Sequence, residues 1–213
     1  MPARSNPRSG YECAPYTILE TTESYEVRSY PSVKWATVQY EKVGRHNDMP
    51  MSSSLSDTKQ SQSTAFRKLF GYISGANESG SKISMTVPVS TRVTTSEESV
   101  TEEMGFYVPE EHQEAAPAPL TTTGVKIVTR PEMVAYVRQF GGYAKDSDWT
   151  QQRDSLITEL KTREDADTID FDSYYRSDIN LNNGKSLLLF IDSDLDKGLM
   201  LHTSSGGVRM RCL

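Results

Sequence analysis

The chain has 213 residues, 36% hydrophobic and 24% charged, with a formal net charge of −6 and a pI near 5.2. This is enough apolar material for one ordinary core of about 170 to 180 residues plus tails, and it is not the composition of a disordered protein. The acidic balance and scattered basic residues leave no basic stripe for nucleic acid, and no apolar run approaches the roughly 20 residues of a membrane helix.

In chain order, residues 1–14 are rich in Pro, Ser and Arg and read as a loose tail. The opening MPARSNPRSG lacks the apolar stretch of a secretory leader, which points to a cytoplasmic protein, or to a secreted one if a leader precedes this sequence. Cys13 and Cys212 both fall in expected tails. They form neither a disulfide framework nor a zinc cluster, and Cys13 becomes a candidate half-bridge in the secreted case. YEVRSYPSVKWATVQY (25–40) reads as strand, tight turn at Pro31-Ser32, strand. Val33, Trp35, Thr37 and Gln39 share one face of the second strand; Lys34, Ala36, Val38 and Tyr40 share the other.

The polar, serine-rich stretch 41–62 reads as a loop. In STAFRKLFGYISG (63–75), Phe66, Leu69, Phe70 and Ile73 recur at i, i+3, i+4, i+7, one apolar helical stripe. Ser63 is the expected N-cap and Gly75 the stop. Gly71 inside the helix costs roughly 1 kcal/mol against alanine and suggests that a backbone or a ligand comes close. KISMTVPVSTRV (82–93) alternates Ile83, Met85, Val87 and Val89 with polar residues, the pattern of a strand with one buried face. Pro88 cannot donate to a ladder, so the strand should stand at an edge or a break. EMGFYVP (103–109) reads as its partner across an acidic hairpin, and a Pro/Ala-rich connector follows to residue 124.

The chain then begins again. VKIVTRPEMVAYVRQF (125–140) repeats strand, proline turn, strand, with Pro131 at the place of Pro31. DSDWTQQRDSLITELKTRE (146–164) is a second helix with Trp149, Leu156, Ile157 and Leu160 on one stripe, and Asp148 with Gln151 resembles a capping box. DFDSYYRSDI and KSLLLFIDSD read as a closing strand pair. The order β-β-α-β-β, twice, predicts an α+β fold: eight mostly antiparallel strands closing into a small distorted barrel, with a helix on each half.

Three segments, YEVRSYPSVKWATV, AFRKLFGYISGANESGSKISMTVPV and MVAYVRQFGGYAKDSDW, resemble the SOUL/heme-binding protein family. The most specific part is G-x-N-x-x-G-x-K-I-x-M-T-x-P-V, here Gly75 to Val89. The resemblance runs from about residue 16 to 175. It implies a distorted eight-stranded barrel of two pseudo-symmetric halves, about 15–115 and 124–192 within a domain 15–192, and a tail 193–213. It also implies binding of heme or another tetrapyrrole at a hydrophobic surface pocket in some members, and links to mitochondrial permeability and cell death in others. Some relatives carry a histidine where this chain has Ser29, which removes one candidate iron ligand.

His46, His112 and His202 fall in expected loops or tail, and no nucleophile–base arrangement or phosphate-cradling glycine motif stands out, which argues against an enzyme. TREDADTIDFD lacks the alternation and glycine of a calcium loop and reads as a solvated turn. A porphyrin is a flat apolar plate with two carboxylates on one edge. Phe66, Leu69, Phe70 and Ile73, with Arg67 and Lys68 beside them and Met85 on the next strand, could hold one by apolar contact and propionate pairing. The same stripe also reads as core, with one edge packing and the other facing a cleft. Without an internal histidine ligand, binding should be reversible and indifferent to iron, as for a carrier or buffer. The alternative is a protein-interaction module using LITELKTREDADTIDF (156–171), which the family resemblance likens to a BH3 segment.

Overall fold

The computed structural model describes residues 10–42, 54–96, 100–141, 144–179 and 185–192, with main chain alone for 41–42, 54–60, 178–179 and 185–192. The elements are β1 Glu12–Cys13, β2 Thr17–Thr21, β3 Glu26–Tyr30, β4 Val33–Lys42, α1 Ser54–Ile73, β5 Thr86–Val87, β6 Val89–Thr95, β7 Val100–Tyr107, β8 Lys126–Arg130, β9 Met133–Gly141, α2 Asp146–Leu160, β10 Ile169–Ile179 and β11 Lys185–Asp192. The fold is α+β. β2 to β4 and β6 to β11 form one antiparallel sheet in the order β2-β3-β9-β11-β10-β6-β7-β4-β8.

The proline corners are not hairpin turns, contrary to the sequence expectation. β3 and β4 do not pair with each other, nor do β8 and β9. Instead Glu26 to Tyr30 pair with Val137 to Met133, and past the corner Val33 to Thr37 pair with Arg130 to Lys126. The register does not slip across the bend. Two bent strands, one from each half, therefore run antiparallel along their whole shared length, and a pseudo-twofold axis passes between Pro31-Ser32 and Pro131-Glu132. Proline supplies a fixed φ at each bend and lacks the N–H that the bend leaves unpaired.

This arrangement closes the ring through the chain itself. The bent strand of the first half pairs with β7, then follow β6, β10 and β11, which pairs with the bent strand of the second half. Eight strands make this ring, and β2 adds a ninth outside it on β3.

Each helix buries one stripe on the outer surface of the ring. Ala65, Leu69, Tyr72 and Ile73 of α1 pack on Ala36, Val38, Met104, Phe106 and Val108. Trp149, Leu156 and Leu160 of α2 pack on Val27, Val134, Tyr136 and Ile169. Burying such side chains supplies about 1.5–3 kcal/mol each, which is what fastens helices of weak intrinsic stability.

Several local expectations change. α1 begins at Ser54, inside the stretch read as a loop, so Ser63 lies within the helix and is not its cap. A polar segment gives no periodic signal, yet it continues a helix already anchored by its apolar half, because propagation is easier than nucleation. α2 begins at Asp146, so Asp148 is the third helical residue: its carboxylate accepts the Lys145 backbone N–H at 2.8 Å. The 82–93 stretch is split. β5 pairs in parallel with β1 in a separate two-stranded sheet, and β6 joins the ring after the cis Val87–Pro88 bond. Ile83 and Val87 are buried, as the alternation implies. The N-terminal stretch expected to be loose holds β1, and Cys13 within it is disulfide-bonded.

Candidate functional site

The site region is α1 and the loop that ends it. Gly75 adopts φ +111° and Gly80 φ +65°, conformations that side chains with a Cβ rarely take. Between them Asn77, 4% exposed, ties the loop from inside. Its Nδ2 donates to the carbonyls of Tyr72 at 3.0 Å and Ser81 at 2.7 Å, and its Oδ1 accepts from the Ser81 N–H at 3.0 Å and the Ser79 hydroxyl at 2.9 Å. The Ile83 N–H then donates to the Ile73 carbonyl at 2.8 Å. The loop and the end of α1 also hold the connector, through Glu78 N–H to Ala118 O at 2.9 Å and Tyr72 OH to Pro117 O at 2.7 Å. The glycine–asparagine–glycine spacing thus fixes the exit angle of α1 and lays the 82–87 segment against it.

The helix turns its apolar stripe in two directions. Leu69 is 0% and Ile73 7% exposed, so both belong to the core. Phe66 is 38% and Phe70 51% exposed. Four residues apart on one flank, their rings stack with centroids 6.2 Å apart and planes 12° from parallel. Phe66 rests edge-on against Phe106 of β7 at 5.4 Å. Exposed large apolar side chains that adjoin and stack are unusual for a surface helix, whereas single ones are ordinary. Arg67 and Lys68 are exposed, and Met85 is half-buried against the α1 core. Gly71 has only the Ala76 methyl within reach of a would-be Cβ, at 3.9 Å, so no backbone crowds it.

The opposite flank of α1 carries a concavity of about 420 Å³ lined by Val38, Gln39, Tyr40, Ser61, Thr64, Ala65 and Lys68, which the sequence did not foreshadow. Lys68 belongs to that flank. His112 stands in a short 3-10 turn, its Nε2 3.6 Å from Glu111 Oε1, while His46 and His202 lie outside the described residues. Among the described residues no group of three or more His, Cys, Asp or Glu is placed to hold a metal ion, and no helix is long and apolar enough to cross a membrane. The segment 156–171 is the end of α2, a turn and the start of β10; Leu156, Leu160 and Ile169 are all buried.

The profile of the SOUL heme-binding protein family matches residues 11–180. The chain belongs to this family. Among its SOUL relatives, heme-binding protein 2 of Homo sapiens is 33% identical over 162 residues, covering 74% of this chain and 70% of that protein. Heme-binding protein 1 of Mus musculus is 32% identical over 157 residues, covering 70% and 75%. The cryo-EM structure of an EcmrR–DNA complex superposes with a TM-score of 0.50 at 8% identity, covering 79% of this chain and 57% of that one, a likeness of fold alone. Asn77 and the two positive-φ glycines lie inside the segment that carries the SOUL signature, so that signature has a structural role in this chain. The asparagine's role was readable as turn chemistry, since Asn between glycines favours such loops; Phe106 beneath Phe66 had no sequence signal.

Proposed function

We propose that this SOUL protein is a non-catalytic carrier or buffer of heme or a related tetrapyrrole, held by apolar contact on the Phe66–Phe70 ledge. The observation that carries this reading is the exposed, parallel phenylalanine pair, with Phe66 backed by Phe106. It offers a planar ligand a flat apolar surface, and stacking of flat systems adds to area burial. Arg67 supplies a cation beside the ledge for a propionate, and Lys68 reaches only from the far flank. Family membership and the named relatives support the ligand class. The residues suit the macrocycle and not the iron: the sulfur proposed from the sequence, Met85, is packed against the α1 core. Bound heme would supply its own iron chemistry, and the ledge would hold the ring.

The test is an absorbance titration with hemin and with free-base protoporphyrin, repeated on Phe70→Asp with circular dichroism to confirm folding. Both pigments should bind the wild type comparably and be lost in the variant. Binding of hemin alone, or binding indifferent to Phe70→Asp, would overturn the reading. For location, a disulfide at Cys13 fits an oxidising compartment better than the cytoplasm, which supports the secreted alternative.

A further inference from the structure

On the inner face of the ring, turned away from both helices, Arg130 of β8 lies between two aromatic rings. Its guanidinium carbon is 4.0 Å from the centre of the Trp35 ring and 4.8 Å from that of Tyr175. The residue is 7% exposed. Nη1 donates to the Ser90 hydroxyl at 3.2 Å. Nε and Nη2, the two nitrogens that form the side-on fork of a guanidinium, have no hydrogen-bond partner. Glu103 Oε1 stands 3.7 Å from Nη2, beyond hydrogen-bond length. Arg92 of β6 brings a second guanidinium to the same Tyr175 ring, at 5.9 Å, and its buried Nε also lacks a partner. Arg92 is the cross-strand neighbour of Glu103.

The same barrel shows how a buried fork is ordinarily satisfied. Arg28, 1% exposed, gives Nε and Nη2 to Glu26 Oε2 at 2.8 and 2.7 Å. At Arg130 no carboxylate closes the fork. Gly105 makes room for it: a Cβ there would stand 2.8 Å from Nη2 and 3.3 Å from Thr37 and Trp35. The Glu103 side chain, 30% exposed, is the solvent-facing member of the cluster. A planar fork with two parallel N–H groups matches two oxygens of one anion, and a buried site with an excess of positive charge draws that anion in.

We propose that the barrel interior is a second ligand site, in which the Nε/Nη2 fork of Arg130, with Arg92 beside it, holds the paired oxygens of a small carboxylate or phosphate. It is separate from the α1 ledge, which lies on the outer surface of the ring. Glu103 is the internal competitor for the fork. Sodium acetate and inorganic phosphate, titrated separately against chloride at matched ionic strength, are the probes. The readout is the Nε–H resonance of Arg130 in the ¹⁵N-labelled full chain, and that of Arg92 in the Arg130→Lys variant. At least one probe should move that resonance saturably, and the tighter of the two names the oxyanion class. Glu103→Gln should tighten binding about five-fold, since a unit charge about 4 Å away counts for that much even at the dielectric of water. Arg130→Lys should weaken it about ten-fold through loss of one charged hydrogen bond. No saturable shift in either the wild type or Glu103→Gln overturns the site, as does undiminished affinity in a folded Arg130→Lys.

Discussion

Neighbouring residues 69 and 70 separate the two roles of the α1 stripe, and substituting each by alanine should produce opposite phenotypes. Phe70 is 51% exposed. A phenylalanine offers roughly 200 Å², so about 100 Å² is open to a ligand, worth about 2.5 kcal/mol at 25 cal/mol per Å². That corresponds to about 60-fold in affinity. Alanine retains part of the area and a porphyrin does not cover all of it, so Phe70→Ala should weaken binding about 10- to 30-fold. Leu69 is 0% exposed, and Leu69→Ala should lower the unfolding free energy by about 2–5 kcal/mol through lost transfer energy and a residual cavity. Its folded fraction should keep wild-type affinity within about three-fold, because Leu69 touches no ligand. Fluorescence quenching of free-base protoporphyrin measures the first quantity and urea unfolding the second. Equal affinities for the two variants, with both still folded, would refute the division of the stripe into ledge and core.

Asn77→Ala removes a side chain holding four hydrogen bonds in the loop after α1 and leaves buried backbone groups unpaired; urea unfolding should show a loss of about 2–4 kcal/mol. Gly75→Ala puts a Cβ 3.2 Å from the Gly80 carbonyl oxygen at a φ of +111°, and should lower the melting temperature, while Gly71→Ala should leave it unchanged or raise it. The Asp165 carboxylate accepts from Arg163 at 2.7 and 2.9 Å and from the Tyr136 hydroxyl at 3.0 Å, and these bonds to Arg163 hold it below the usual carboxylate range. A depressed folded value means that its stabilisation is complete above pH about 4 and lost as pH falls through that lower value. Unfolding free energies measured from pH 5 downward should therefore fall more gently in Asp165→Asn than in the wild type. Cys13 should resist a maleimide in the denatured chain until a reductant is added; labelling before reduction would remove its disulfide.

Much of the fold was legible because periodicity reports burial. The stripes on α1 and α2 and the repeat of β-β-α-β-β follow from which residues must leave water, and the break at Pro88 from its missing N–H. Strand pairing was not legible. Proline corners between two strands look like hairpin turns in sequence, and nothing local tells that Val33 seeks Arg130 and not Tyr30. The ledge was half legible: spacing groups Phe66, Leu69, Phe70 and Ile73, but which edge of that stripe turns inward and which outward depends on where β7 lies beneath. The Arg130 cluster was illegible for the same reason. An arginine beside a proline corner reads as a surface charge until the barrel folds around it.

The unbroken register across the two corners makes neither half self-sufficient. Each bent strand closes one of its two edges on the other, so a polypeptide ending after β7 would expose an edge shaped to receive a strand like its own. Two such fragments could recreate the ring as an exchanged homodimer, and cutting the intact chain in the 116–124 connector should leave two pieces that remain associated and refold only together.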